Sequence, residues 1–227
     1  MVQLTAEESK HKHIKEMGTA LGTQFSELWQ QVAYLHFKWQ EFIELFGTKP
    51  TRVELLNQVA PAFFHMVQKL LWEETLLHIA RLTDAPRTAG RENLTIRNLP
   101  ELVSDPAAKR DLEMQVETAL RETKFCRDWR NRLLAHCDLD LAVNEHAEPL
   151  NAASKKQVDE ALVAVVRVLN LVSLHYSQSD LLFPGIHKAG GALSLLYILD
   201  KGLEAKERRK ERLLRGEISG NDYPRDL

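Results

Sequence analysis

Apolar residues recur along this chain in steps of three and four, the spacing that places side chains on one face of a helix. The clearest run is Met17, Leu21, Phe25, Leu28, Val32, Leu35, Trp39, Phe42 and Phe46. It predicts a long helix whose start is weakened by Gly18 and Gly22 and whose end is set by Gly47 with Pro50. Thr5-Ala-Glu-Glu8 has the form of a capping box, and so has Thr51-Arg-Val-Glu54. After Pro61, a helix from about Ala62 to Leu82 is apolar on most sides (Phe63, Phe64, Val67, Leu70, Leu71, Leu76, Leu77, Ile79), the pattern of a central helix. Asp84 to Asn93 is polar, holds Pro86 and Gly90, and reads as a loop, with a short helix around Ile96 to Val103.

Asp105-Pro106 supplies a capping carboxylate and a proline at the first helical position, opening a helix that can run to about Cys137. Asn144 to Asn151 is a loop, and Ser154 caps a strongly apolar helix from Val158 to about Tyr176. After Phe183-Pro-Gly185, a last helix starts at Ala192 and becomes wholly charged past Lys201, while Gly216 to Leu227 has little to pack. There is no strand of convincing alternation and no internal repeat. The expected fold is all-α, an antiparallel bundle of about four to five long helices.

Composition narrows the class. The chain has 227 residues, 44% hydrophobic and 27% charged, enough for a substantial core and far from collagen, low-complexity disorder or a coiled-coil rod. Two cysteines exclude a disulfide scaffold and fit a reducing compartment. With 30 Lys plus Arg against 32 Asp plus Glu, the net charge of -2 gives no global attraction to nucleic acid or an anionic membrane, so any such contact must come from a local patch. The N-terminal stretch lacks a signal-peptide core, and the longest apolar candidate, Ala161 to Leu174, is interrupted by Arg167, Asn170 and Ser173. A cytoplasmic protein with no membrane partner is expected.

Glycine-rich phosphate loops, paired CxxC motifs, HExxH and GxSxG are absent. His11-Lys-His13 lies in a charged stretch without further ligands nearby and reads as a solvated helix start; no metal site and no cofactor are expected. The informative segment runs from Arg121 to Asp138. Between Arg121 and Arg132 it carries five basic residues (Arg121, Lys124, Arg127, Arg130, Arg132) against two acidic ones, and it ends at His136. Arginine suits bidentate phosphate contact and histidine moves protons near neutral pH, so the cluster has the groups that phosphodiester chemistry needs. A structural reading stands beside this one. Cys126, Trp129, Leu133, His136 and Cys137 share one face of an ideal helix, which would make His136 a core histidine.

Trp129-Arg-Asn-Arg-Leu-Leu-Ala-His136 resembles the signature of the HEPN superfamily (higher eukaryote and prokaryote nucleotide-binding domains): an Arg, a polar residue, and a His four to six residues on. The continuation to Cys137-Asp138 is most similar to the bacterial abortive-infection subgroup, as is Leu77-His-Ile-Ala-Arg-Leu-Thr-Asp84 at the end of the second long helix. The helix order agrees from about Thr5 to Leu199. The resemblance implies an HEPN-like bundle over residues 1–200, with 201–227 as a charged helix end and tail. For active members it implies a dimer and a metal-independent endoribonuclease of phage defence or toxin–antitoxin type. In such an enzyme the substrate 2′-OH attacks, leaving a 2′,3′-cyclic phosphate and a 5′-hydroxyl. Carried over, His136 would move the proton, Arg130 would stabilise the phosphorane and Asn131 would orient the phosphate or His136; Arg127 and Arg132 are candidate substrate-binding residues. RNA is the expected substrate, a second copy the expected partner, and an antitoxin or defence protein a further candidate. The alternative is a non-catalytic HEPN module for dimerisation, nucleotide binding or protein interaction.

In an ideal helix Arg130 and His136 lie about 120° apart, whereas Arg132 and His136 are about 40° apart. Either the helix is distorted at the motif, or Arg132 is the closer partner. Arg81 and Asp84 either support the site or simply close their helix. Lys201 to Glu217, with seven basic and four acidic residues, reads as a solvated helix end or as an RNA-touching arm.

Overall fold

A computed structural model describes residues 5–180 and 190–217. The fold is all-α. Among the described residues the long helices are α2 (Thr19–Phe42), α4 (Pro61–Leu82), α6 (Pro106–Glu122), α9 (Lys155–Ser177) and α10 (Ala192–Leu214). Shorter ones are α1 (Ala6–Met17), α3 (Pro50–Val59), α5 (Leu99–Leu102), α7 (Lys124–Trp129) and α8 (Leu139–Val143). The expected break at Phe183-Pro-Gly185 and the tail beyond residue 217 lie outside the described residues. Among those residues no helix is long and apolar enough to cross a membrane.

Packing divides the chain into two compact units, Met1–Gln40 with Leu70–Ile186 and Glu41–Lys69 with His187–Leu227. In the first, α6 and α9 make the most extensive helix pair. Leu112, Val116 and Ala119 of α6 and Val158, Ala161, Val165, Val168, Leu169 and Val172 of α9 are all buried, as are Leu21, Phe25, Leu28, Val32 and Leu35 of α2. Trp39 is buried too, and its indole donates to Asp159 of α9 at 2.7 Å. In the second unit α10 packs on α3. The carboxylate of Glu41 accepts the free Ala192 amide at 2.6 Å, capping α10, whose preceding Gly191 brings no side chain to do so.

Local signals decided most helix ends. Thr5 and Glu8 form the reciprocal capping box that opens α1, and Ser154 with Gln157 forms another at α9. Asp105 caps α6 through the Ala108 amide at 2.8 Å. Four expectations need correction. Thr51 caps nothing: Pro50 already occupies the first turn of α3, with Lys49 at the cap. The helix opened by Pro106 does not run unbroken to Cys137 but ends at Glu122, and α7 passes into a π-helical turn at Arg130–Leu134. The apolar run of α2 stays buried through Phe42, and then a π turn at Ile43–Gly47 shifts the phase so that Leu45 rather than Phe46 is buried. In α4, Leu76, Ile79, Ala80 and Leu82 are buried as a central helix requires, but Phe63 and Met66 of its first half are more than 45% exposed. An all-round apolar pattern does not say which faces neighbouring elements reach.

The 84–93 loop holds a two-residue hairpin, Arg87–Thr88 with Arg91–Glu92, closed by Ala89 and Gly90 at φ 50° and 79°. His13 is not a solvated residue. It packs edge-on against Phe25 with ring centres 4.9 Å apart, because Gly18, at φ 80°, breaks the chain between α1 and α2. That break folds α1 back until Gly22 meets it. A Cβ on Gly22 would stand 2.5 Å from the His13 carbonyl oxygen and 2.6 Å from Ile14 Cα, both backbone atoms. Gly22→Ala is therefore expected to destabilise the protein by about 1–3 kcal/mol, the usual cost of overpacking. Gly202→Ala, with nothing nearby, should gain about 0.5–1 kcal/mol from helix propensity. Urea denaturation of both variants checks the difference and its sign.

Candidate active site

The site is assembled from the end of α4 and the turn after α7. Two buried hydroxyls fix the first. Thr83 donates to the Ile79 carbonyl at 3.0 Å, and the Thr95 hydroxyl lies 2.9 Å from Leu82 O and 3.0 Å from Asp84 O. They satisfy carbonyls that a helix end otherwise leaves open, and so hold Asp84 in place. On the other side, buried Phe125 and Cys126 anchor α7; burial pushes the Cys126 thiol up to about 12, so it stays protonated and inert.

At Arg130 the helix changes pitch. The Ala135 amide donates to the Arg130 carbonyl, five residues back, at 2.8 Å, and the Asp138 amide to that of Arg132 at 3.0 Å. Longer loops wind more residues into each turn, and such turns are frequent at functional sites. The helix is thus distorted at the motif itself. The shared face of the ideal helix is lost with it: Cys126 is fully buried, Leu133 is 37% exposed, and His136 is exposed. His136 is therefore not a core histidine. Among the described residues it has no hydrogen-bond partner and no bond to Arg130.

Arg130 is held on two sides. Its Nη1 pairs with the Asp84 carboxylate, and its Nε donates to Asn131 Oδ1 at 3.0 Å. Asp84 thus supports the arginine rather than merely closing its helix. A guanidinium has five N–H donors; with two in use, three are left for a ligand. The exposed Asn131 acts here as the second arm of the clamp.

Arg127 and Arg132 also have partners within the protein. Arg127 donates to the Leu120 carbonyl at 2.7 Å and approaches Thr83 Oγ1 at 3.5 Å. Burial and the nearby Arg97 charge lower its pKa, though a guanidinium remains charged throughout the working range. Arg132 donates to the Glu148 carbonyl at 2.5 Å and that of Pro149 at 3.3 Å, with Asp128 and Asp138 carboxylates at 3.9 and 3.7 Å. Trp129 Nε1 donates to the Asn151 carbonyl, and Asp128 accepts the Asn151 amide, each at 2.8 Å. Asp128, Trp129 and Arg132 together fasten the 148–151 backbone to the turn, a role that residue spacing did not reveal. Arg121 and Lys124 line a surface cavity of about 440 Å³ with Phe125, Asn151, Gln157 and Glu160.

A second polar group lies along α2 and α4. Lys38, 8% exposed, pairs with the Glu74 carboxylate and stands 3.0 Å from His78 Nδ1, while Arg81 lies 3.7 Å from Glu74. His78 is 5% exposed, and burial, reinforced by the Lys38 charge, pushes its pKa down to about 4. Its neighbours in sequence contributed to the resemblance, but only the tertiary pairing with Lys38 marks it. Along α10, Lys201 and Arg208 both pair with Glu204, and Arg215 with Glu211, the pattern of a solvated helix. Among the described residues no three His, Cys, Asp or Glu side chains cluster as a metal would require.

An all-helical chain with a clamped arginine and an exposed histidine on a distorted turn has the makings of an HEPN domain. The AbiU2 family of HEPN proteins matches residues 18–188, which include α4, Asp84 and the whole Arg130–His136 turn. The chain belongs to that family and is an HEPN-type abortive-infection module. No curated protein and no solved structure matches it.

Arg132→Ala should lower stability by about 1–3 kcal/mol through loss of its charged hydrogen bonds to the 148–149 backbone. His136→Ala should stay within about 0.5 kcal/mol of the parent, as substitution of an exposed side chain does. Chemical denaturation distinguishes the two. His78 should also mark the pH dependence. Its folded pKa of about 4 lies below the unfolded 6.5, so the unfolded state binds the extra proton, and stability present above pH 6.5 is lost as pH falls toward 4. The thermal midpoint of His78→Gln should fall less steeply than the parent's over that window.

Proposed function

We propose that the protein is a metal-independent endoribonuclease acting at Arg130 and His136. The observation that carries this reading is the pairing of opposites on one turn. Arg130 is held by Asp84 and Asn131 with donors to spare, while His136, six residues on, is exposed and unpartnered. A fixed cation suits charge that develops in a transition state, and a solvent-facing imidazole suits proton transfer.

In this mechanism the imidazole of His136 accepts the proton of the substrate 2′-OH. The 2′-oxygen forms a bond to the adjacent phosphorus, and the bond to the 5′-oxygen breaks as that oxygen takes up a proton. The products are a 2′,3′-cyclic phosphate and a 5′-hydroxyl. Arg130 neutralises the phosphorane oxygens, and Asn131 keeps the guanidinium in register. Arg132 ties the turn that carries both groups to the 148–149 backbone, and Arg127 joins the end of α6 to Thr83. One Arg and one His make few phosphate contacts, so the cleft is completed by a second copy about a two-fold axis, bringing two such pairs to one RNA. Activity of this kind would serve phage defence, held in check by an antitoxin or other defence protein.

Cleavage of a mixed-sequence RNA by purified protein tests the proposal. It should persist in EDTA and spare DNA, which lacks the nucleophile. His136→Ala should abolish it without changing the thermal midpoint, and Arg130→Ala should slow it roughly a hundredfold or more. Light scattering should show a dimer at micromolar concentration. Cleavage abolished by chelator and restored by magnesium refutes the mechanism. RNA cleavage or cell toxicity indifferent to both substitutions makes the protein a non-catalytic HEPN module.

A further inference from the structure

Beside the Arg130–Asp84 pair lies a cavity of about 270 Å³ lined by Gln31, His78, Arg81, Leu82, Asp84, Asn93 and Leu94. One wall is thus Asp84, the residue that holds Arg130. Its volume falls just below the usual range for ligand sites, roughly 300–1,000 Å³, which suits one flat ring system better than a chain.

The chemistry of its deepest polar group is determined by what lies behind it. An ammonium has only protons to give, so the contact between Lys38 Nζ and His78 Nδ1 makes Nδ1 the acceptor. The neutral ring then carries its proton on Nε2. That atom is buried and has no partner, in a side chain that is 5% exposed and lines the cavity. Buried N–H groups are paired in most proteins, and this one is a fixed donor waiting for an acceptor.

The rest of the lining tells which acceptor fits. Leu82 and Leu94 offer apolar walls, and Arg81, with its side chain 59% exposed at the rim, offers a guanidinium plane. Gln31 is exposed and supplies an amide with both donor and acceptor. Asn93 has its nitrogen engaged with Ala85 O and Thr88 Oγ1, which leaves its carbonyl oxygen. Glu74 is shared by Lys38 and Arg81, and Asp84 is taken by Arg130, so a bare phosphate is the competing ligand that a base-free probe must separate from a base. Apolar faces, a stacking guanidinium and a few edge-directed polar groups suit an unpaired nucleobase of single-stranded RNA.

We propose that this cavity binds one base of the RNA next to the scissile phosphate, with His78 Nε2–H donating to a ring nitrogen or carbonyl and Arg81 stacking on its face. The inference rests on the ribonuclease reading for the identity of the polymer, and assigns to this cavity the base preference of cleavage.

Calorimetric titration with the four nucleoside 5′-monophosphates, and with ribose 5-phosphate as the probe without a base, tests it on the full chain. At least one monophosphate should bind, and ribose 5-phosphate roughly tenfold or more weaker. Removing one edge contact should weaken that monophosphate about fivefold or more. This applies to His78→Phe, which keeps a ring but not the donor, and to Gln31→Ala, an exposed position whose change leaves the core alone. His136→Ala, outside the lining, should bind as the parent does. Equal binding of ribose 5-phosphate, no binding of any monophosphate at millimolar concentration, or parental affinity in folded Gln31→Ala overturns the proposal. RNA cleavage is scored separately. Cleavage without base binding defeats the cavity assignment alone, whereas base binding through His78 and Gln31 on a protein that cuts no RNA defeats the ribonuclease reading alone.

Discussion

The ion pair between Asp84 and Arg130 joins residues 46 apart in sequence, and the candidate site is organised around it. It sets the end of α4 against the turn after α7, so each side stabilises the conformation of the other. A carboxylate that holds an arginine on one edge also aims the remaining donors of the fork, because the guanidinium is planar and rigid. The supporting shell is equally specific: Thr83 and Thr95 hold Asp84 through backbone carbonyls, and Asn131 closes the other edge of Arg130. A site assembled this way is preorganised before any ligand arrives.

The π turn at Arg130–Leu134 is the second constraint. It takes His136 off the face that carries Cys126 toward the core, and places an ionisable side chain in solvent. Side chains on the turn and at the end of α7 compensate for its irregular backbone. Asp128, Trp129 and Arg132 hydrogen-bond the backbone of residues 148–151, so the loop and the distorted helix secure each other. The arginine-rich composition of the segment therefore has two roles. Arg127 and Arg132 bond backbone carbonyls of the protein, whereas Arg130 is clamped between two side chains, Asp84 and Asn131.

The Lys38–His78 pair shows a different use of burial. Placing an ammonium behind an imidazole fixes the tautomer without a carboxylate and keeps the ring neutral through the physiological range. Glu74 offsets the lysine charge at the edge of the cluster, so the interior carries little net charge. Polar groups set this way are costly to maintain unless they meet a ligand or fix a unique arrangement, and here His78 lines a cavity together with Asp84, the partner of Arg130.

The all-α class, the capping boxes at Thr5 and Ser154, the start at Asp105-Pro106 and the buried stripe of α2 were legible in the chain itself, because caps and helical periodicity are local properties of a few neighbouring residues. The Arg130-Asn131…His136 spacing was legible for the same reason, and with the Leu77–Asp84 string it pointed to the family. Which partner each arginine takes was not, since Asp84, Glu148 and Pro149 reach Arg130 and Arg132 from far along the sequence. Nor was the phase of the motif helix, because one π turn reorients every side chain after it while leaving the hydrophobic pattern unchanged. Half of α4 looked central and is exposed, since a pattern records what a helix can bury and only the packed neighbours decide what it does bury. His78 is the extreme case. Its neutral state comes from burial and its tautomer from Lys38, forty positions away, and both exist only once α2 and α4 pack together.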